Sequence, residues 1–339
     1  MAFAAFITGL SGLFLTPAEA VFLRSSRPAG IILFARNVDS PEQMRRLIGD
    51  AQSAIGATVL VLIDQEGGRV QRLRPPHWRS LPSGAHYAAR AAVDLVSAVN
   101  ETRAISRLIA HDLRALGITC NCTPVLDVPI KGAHAVIGSR ALGETAEIIT
   151  ALGLAIAEGH MAGGVLPVVK HIPGHGRAMV DTHHEVPTVA ASFEDLAASD
   201  FATFRALAHL PAAMTAHVIF STLDPAATAS TSAIVTSRIV RGHIGFNGLL
   251  LSDDLSMQAL SGNLRQRAAA VLAAGTDLAL HCNGVMAEMQ QVASAAPELT
   301  GHHADRYDRA MAVTHLQAPF SIAAAQACLQ RVMGVPALS

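Results

Sequence analysis

Apolar residues along the chain fall in short, nearly unbroken runs rather than in alternation with polar ones. Eight such runs occupy positions 6–10, 30–34, 58–64, 118–127, 166–171, 212–219, 248–253 and 277–283. Continuous hydrophobicity of this kind marks strands covered on both faces. The intervals between them are long enough for helices, and strands joined by helical crossovers must pair in parallel. Eight repeats of that unit predict an α/β fold, a single (β/α)8 TIM-type barrel over residues 1–339.

One intervening helix can be read in detail: Ser40 as N-cap, Pro41 at the first helical position, Gln43 closing a capping box and Gly56 just past the end. Met44, Leu47, Ile48 and Ala51 then form its buried stripe. A second apolar face, Phe193, Leu196, Phe204 and Leu207, follows the candidate cap Ser192. Both helices are expected outside the barrel. The longest connection, 65–117, has Pro75, Pro76, Trp78 and Pro82 near its start, which suggests an ordered loop over the barrel mouth before a helix resumes.

With 51% hydrophobic and 15% charged residues among 339, the chain has the material for a large packed core. Its net charge of −1 supplies no field to draw it onto nucleic acid or anionic lipid, so neither is expected as a partner. No stretch meets the requirement for about 20 consecutive apolar residues that a membrane span needs. The best candidate, 2–18, is broken by Gly9, Ser11, Gly12, Thr16 and Pro17. The same stretch imitates an export signal, with Ala18-Glu19-Ala20 as a cleavage site, but lacks a positively charged start. Its removal would also delete the first strand, so the chain is read as cytoplasmic, and as a monomer. Cys120, Cys122, Cys282 and Cys328 do not form a disulfide framework and read as buried thiols.

Polar residues gather where the runs end, which in a barrel is where the chemistry sits. The densest segment is Lys170-His171-Ile172-Pro173-Gly174-His175-Gly176, followed by Asp181-Thr182-His183-His184. Asp181 and His183 form a candidate carboxylate–imidazole pair able to move a proton, and Lys170 is one of only two lysines among 25 basic residues. Taken alone, the segment also reads as a histidine-rich surface loop. As an alternative function, His171, His175, His183 and His184 would be the ligands of a metal-dependent hydrolase on the same barrel. A second segment, Ser252-Asp253-Asp254-Leu255-Ser256-Met257, places two carboxylates at a strand end, where one can attack a sugar's anomeric carbon or simply cap a helix. A third, Asp64-Gln65-Glu66-Gly67-Gly68-Arg69-Val70-Gln71-Arg72, suits a polar-substrate cleft or a turn whose charges pair with each other.

Together with Ile32-Leu33-Phe34-Ala35-Arg36-Asn37, Pro124-Val125-Leu126-Asp127 and Ile137-Gly138-Ser139-Arg140, these segments resemble family 3 glycoside hydrolases of the β-N-acetylhexosaminidase type used in bacterial cell-wall recycling. The resemblance runs from about residue 30 to 283 and implies a retaining exo-β-N-acetylglucosaminidase acting through a covalent glycosyl-enzyme intermediate. Carried over by motif, Asp253 is the nucleophile and His183 the acid/base paired with Asp181. Asp64, Arg72, Arg140, Lys170 and His171 match sugar-binding positions. The implied substrate is an N-acetylglucosaminyl muropeptide, with no cofactor and no metal. Ile172 and Thr182 stand where the family usually has Phe and Ser.

Overall fold

The computed structural model describes residues 2–130, 137–178 and 186–334. Eight parallel strands carry the barrel: β1 (Ala4–Gly9), β2 (Pro28–Leu33), β3 (Leu60–Ile63), β4 (Cys120–Asn121), β5 (Leu166–Pro167 continuing as Val169–Ile172), β6 (Ala212–Thr215), β7 (Leu249–Asp254) and β8 (Leu278–His281). Neighbours pair in chain order, and β8 returns to β1 with Phe6 opposite Ala279. β5 closes the ring: its first half pairs with β4, its second with β6. The barrel expected from the eight apolar runs is the one observed.

Alternate strand residues serve two cores, which is why the runs are continuous. Ile7, Ile32, Leu60, Leu62, Val168, Met214, Leu251 and Leu280 fill the barrel interior. Phe6, Ile31, Leu33, Val61, Ile63, Val169, Ala213 and Leu250 face the surrounding helices. Cys120 and Cys122 are buried free thiols in the interior cluster.

Several expected boundaries shift. The run at 118–127 holds only a two-residue strand, because Pro124 has no N–H to give a ladder. The chain beyond it stays extended against β5 through Leu126 N to Lys170 O (2.7 Å) and Lys170 N to the Pro124 carbonyl (3.0 Å). The run expected to end at 253 continues one residue further, so Asp254 is still within β7. The helix Pro41–Ile55 has its cap at Ser40, its αL stop at Gly56 and the expected buried stripe. Its capping box does not close: Gln43 Oε1 accepts from Asp39 N (3.1 Å), and Gln43 Nε2 donates to the Leu13 and Asn37 carbonyls. The side chain joins the preceding loop instead of returning to Ser40. The apolar face after Ser192 belongs to two short helices, Phe193–Ala198 and Asp200–Ala206, with Phe193 at its exposed edge. In the long connection after β3, a hairpin (Gln65–Gly67 with Val70–Gln71) precedes the helices Gly84–Val93 and Leu95–Arg114. Among the described residues no helix is long and apolar enough to cross a membrane.

Candidate active site

A cavity of about 440 Å³ opens at the C-terminal ends of the strands. Asp64, Arg72, Arg140, Lys170, His171 and Asp253 all line it, so six of the eight residues expected from sequence converge on one place. Asp181 and His183 lie outside the described residues, as does His184.

The hairpin after β3 builds one wall. Asp64 and Glu66 are two residues apart in extended chain and point the same way. Lys170 Nζ sits between them, 2.9 Å from Asp64 Oδ1 and 2.7 Å from Glu66 Oε1. Arg72 Nη2 takes Asp64 Oδ2 at 3.0 Å, and Arg140 grips Glu66 with two bonds of 2.8 Å. Burial by itself would raise the Glu66 pKa; the Arg140 guanidinium and the Lys170 ammonium outweigh it and hold the carboxyl well below the ordinary range. Asp64 is likewise held down, burial being outweighed by Lys170 and Arg72. Burial would release the proton of Lys170, but the two carboxylates raise its pKa and keep it charged. A compact ammonium with three donors fits between two carboxylates better than a planar fork, which explains a lysine here in a chain whose other basic residues, Lys131 aside, are arginines. The hairpin turn requires glycine at 67, where φ is +106° and a Cβ would lie 2.0 Å from the Pro82 carbonyl oxygen.

The second wall is the loop after β5. Asp127, fully buried, accepts from the backbone N–H groups of His171 (3.2 Å) and His175 (2.8 Å) on Oδ1, and its Oδ2 lies 2.7 Å from His171 Nδ1. One carboxylate thus fixes the loop's path and directs the other edge of the His171 ring to the cavity. His175 also lines the cavity; burial and the neighbouring His171 lower its pKa to about 4, so the ring is neutral. Behind this wall Asn121 bonds both polar backbone atoms of Gln65 and meets His160 Nε2 at 2.9 Å.

The third wall is the end of β7, where two adjacent carboxylates are held differently. Asp254 is spent on structure: its Oδ1 accepts from Ser256 N and Cys282 N, both at 3.1 Å, and its Oδ2 from the Ser256 hydroxyl. Among the described residues the Asp253 carboxylate accepts only from Asp254 N, at 2.8 Å on Oδ1. Its Oδ2 has no partner among the described residues. Burial would raise the Asp253 pKa, but His171, His217, the Asp254 N–H and Lys170 together lower it. This wall therefore presents an ionised carboxylate with a free oxygen. His217 is locked behind it by Ser230 Oγ (2.7 Å) and the Asp254 carbonyl (3.1 Å).

Sequence reading did not single out Glu66, Asp127 or Arg36 as site residues. Glu66 had a legible signal, its spacing of two from Asp64. Asp127 had one too, its place at the end of the run 118–127, though not its partners; Arg36 had none, because its partners lie far along the chain: it reaches the Leu10 and Cys282 carbonyls and lies over the Phe34 ring at 5.1 Å. The metal alternative finds its histidines divided. His171 has Nδ1 engaged by Asp127, and His183 and His184 lie outside the described residues. Among the described residues no group of three His, Cys, Asp or Glu side chains is arranged to hold a metal.

The sequence profile described as Glycosyl hydrolase family 3 N terminal domain matches residues 16–315. A β-hexosaminidase of Pseudomonas aeruginosa is 39% identical over 277 residues, 81% of each chain. The crystal structure of NagZ from Neisseria gonorrhoeae in complex with N-trifluoroacetyl-D-glucosamine superposes with a TM-score of 0.87 at 30% identity, covering 98% of both chains. A glycoside hydrolase family 3 β-N-acetylglucosaminidase from Paenibacillus sp. str. FPU-7 gives a TM-score of 0.79 at 30% identity, covering 99% of this chain and 63% of that one.

Proposed function

We propose, for a chain that belongs to glycosyl hydrolase family 3, that its barrel mouth releases terminal β-linked N-acetylglucosamine with retention of configuration. One observation carries this reading: of the four carboxylates lining the cavity, Asp253 keeps an oxygen uncommitted to the described residues. Asp64, Glu66 and Asp254 have both oxygens bonded. An ionised carboxylate with a free lone pair at a barrel mouth is suited to attack an anomeric carbon, forming a glycosyl ester as the aglycone departs.

Departure requires a proton, and we assign its delivery to His183 with Asp181 orienting the imidazole. The chain leaves the described residues at Ala178, three positions after His175 on the cavity wall, which is compatible with that assignment. Water then attacks the ester, with the same imidazole taking its proton. Asp64, Arg72, Arg140, Lys170 and His171 bind the sugar hydroxyls: their mutual ion pairs fix the polar surface before the sugar arrives, so little ordering remains at binding. The natural substrate in this reading is an N-acetylglucosaminyl muropeptide, met by a monomer in the cytoplasm.

The test is an aryl β-N-acetylglucosaminide followed by proton NMR. The reading expects the β-anomer of the free sugar as first product, and first release of the α-anomer overturns it. Rate against pH should fall on the acid side as Asp253 protonates, below the ordinary carboxylate range, and on the alkaline side as His183 loses its proton. A flat profile across roughly pH 5–9 contradicts an imidazole acid.

A further inference from the structure

A second cavity, of about 390 Å³, lies at the opposite end of the barrel. The end of the helix Leu95–Arg114 and the turn at Gly163 form it, just before β4 and β5 begin. Arg107, His111, Arg114 and His315 line it together with Gly163 and Gln317, and among the described residues no carboxylate does. The nearby acids are committed elsewhere, Asp112 to Arg79 and Glu158 to Arg103, each at 2.7 Å.

Arg107 is the unusual member. Its side chain is built into the wall: the guanidinium lies 4.0 Å from the Phe320 ring centroid, and Nη2 donates to the Ala318 carbonyl at 2.8 Å. The residue is only 9% exposed, and its Nε is buried without a partner. Burial lowers its pKa, and no acid among the described residues opposes the shift. Arg140, at the other mouth, is satisfied by two bonds to Glu66. A buried guanidinium without an anion is costly, and proteins resolve that cost by pairing it. Arg114, on the rim, has no hydrogen-bond or ion-pair partner among the described residues.

We propose that this cavity binds a small oxyanion of the phosphate class, with Arg107 as the fixed donor and Arg114 closing on the anion from the rim. The terminal Nη groups of the planar guanidinium, rather than its enclosed Nε, supply N–H donors that match a tetrahedral oxyanion. Phe320 holds the fork in position, and the imidazoles of His111 and His315 add further donors.

The test is calorimetric titration of inorganic phosphate into the full chain, with the barrel mouth saturated by N-acetylglucosamine. The proposal expects one saturable site that Arg114→Glu weakens by about tenfold or more, through the loss of one charge-assisted contact and the gain of a repulsive one. Arg107→Lys should weaken it similarly by removing the fork. Since Arg107 also supports packing, Arg114→Glu decides the matter, and its unchanged glycosidase rate serves as the folding control. Phosphate binding that vanishes when N-acetylglucosamine is present, or that Arg114→Glu leaves intact, overturns the proposal.

Discussion

Each end of the barrel holds a carboxylate largely enclosed by protein, Asp277 buried and Asp253 half-buried, and the two are used in opposite ways. Asp277, where β8 begins, is 1% exposed and saturated. Its Oδ1 lies 2.5 Å from His303 Nδ1 and 3.0 Å from Arg306 Nη1; its Oδ2 accepts from Arg241 Nη2 at 3.0 Å and Leu250 N at 2.8 Å. Asp253, where β7 ends, accepts from one backbone amide and leaves its other oxygen to the cavity. Both are acids at a strand end, one fully enclosed and one half-buried. The difference that separates a structural acid from a reactive one is unfilled hydrogen-bonding capacity at a place a substrate can reach.

Substitutions at the two ends should break apart along that line. Asp253→Asn is expected to lower kcat by roughly 10³-fold or more while leaving the thermal midpoint near wild type, because the lost oxygen attacks substrate and supports little structure. Steady-state kinetics beside a thermal melt checks both halves. Asp277→Ala should do the reverse. It leaves Arg241 and Arg306 without their shared anion, so urea unfolding should show a loss of about 3–5 kcal/mol, with the rate per folded molecule retained.

Acid should sharpen the same contrast through the neutral histidines. His160 and His175 each have a pKa lowered to about 4 from an ordinary 6.5, burial being the first cause for both. The unfolded chain therefore takes up their protons first. Their contribution to stability is complete above pH 6.5 and declines as the pH falls toward 4, by roughly 3 kcal/mol for each ring. Urea midpoints at pH 7 and pH 5 measure this, and His160→Gln should remove part of the slope. The smallest effect is expected at Asp254→Asn. It disturbs three hydrogen bonds without touching the attacking atom, for about 1 kcal/mol of stability and a rate loss far below that of Asp253→Asn.

The barrel was legible because its strands are buried on both faces. Leu60 and Leu62 point inward and Val61 and Ile63 outward, and all four must be apolar. The helix at Pro41–Ile55 was legible from local rules, since Ser40, Pro41 and Gly56 act on their own neighbours. Gln43 was misread because its choice between Ser40 and Asp39 is settled by a loop thirty residues earlier that offers the Leu13 carbonyl. The site shows the same division. Chemistry-bearing side chains at strand ends could be gathered from sequence, but which carboxylate is free could not. Asp253 and Asp254 are identical neighbours, and only the folded position of Cys282 N and Ser256 gives Asp254 its donors. Asp127 could be placed at a strand end, but its role could not be read, its partners lying more than forty residues away.

The most direct test of the central claim, that Asp253 supplies the attacking oxygen, is to trap the glycosyl ester with a 5-fluoro N-acetylglucosaminyl fluoride and map the labelled peptide by mass spectrometry. The account predicts one sugar per chain, on Asp253, and none on Asp253→Asn. A sugar found on Asp254 or Glu66, or turnover of the probe by Asp253→Asn at the wild-type rate, would contradict it.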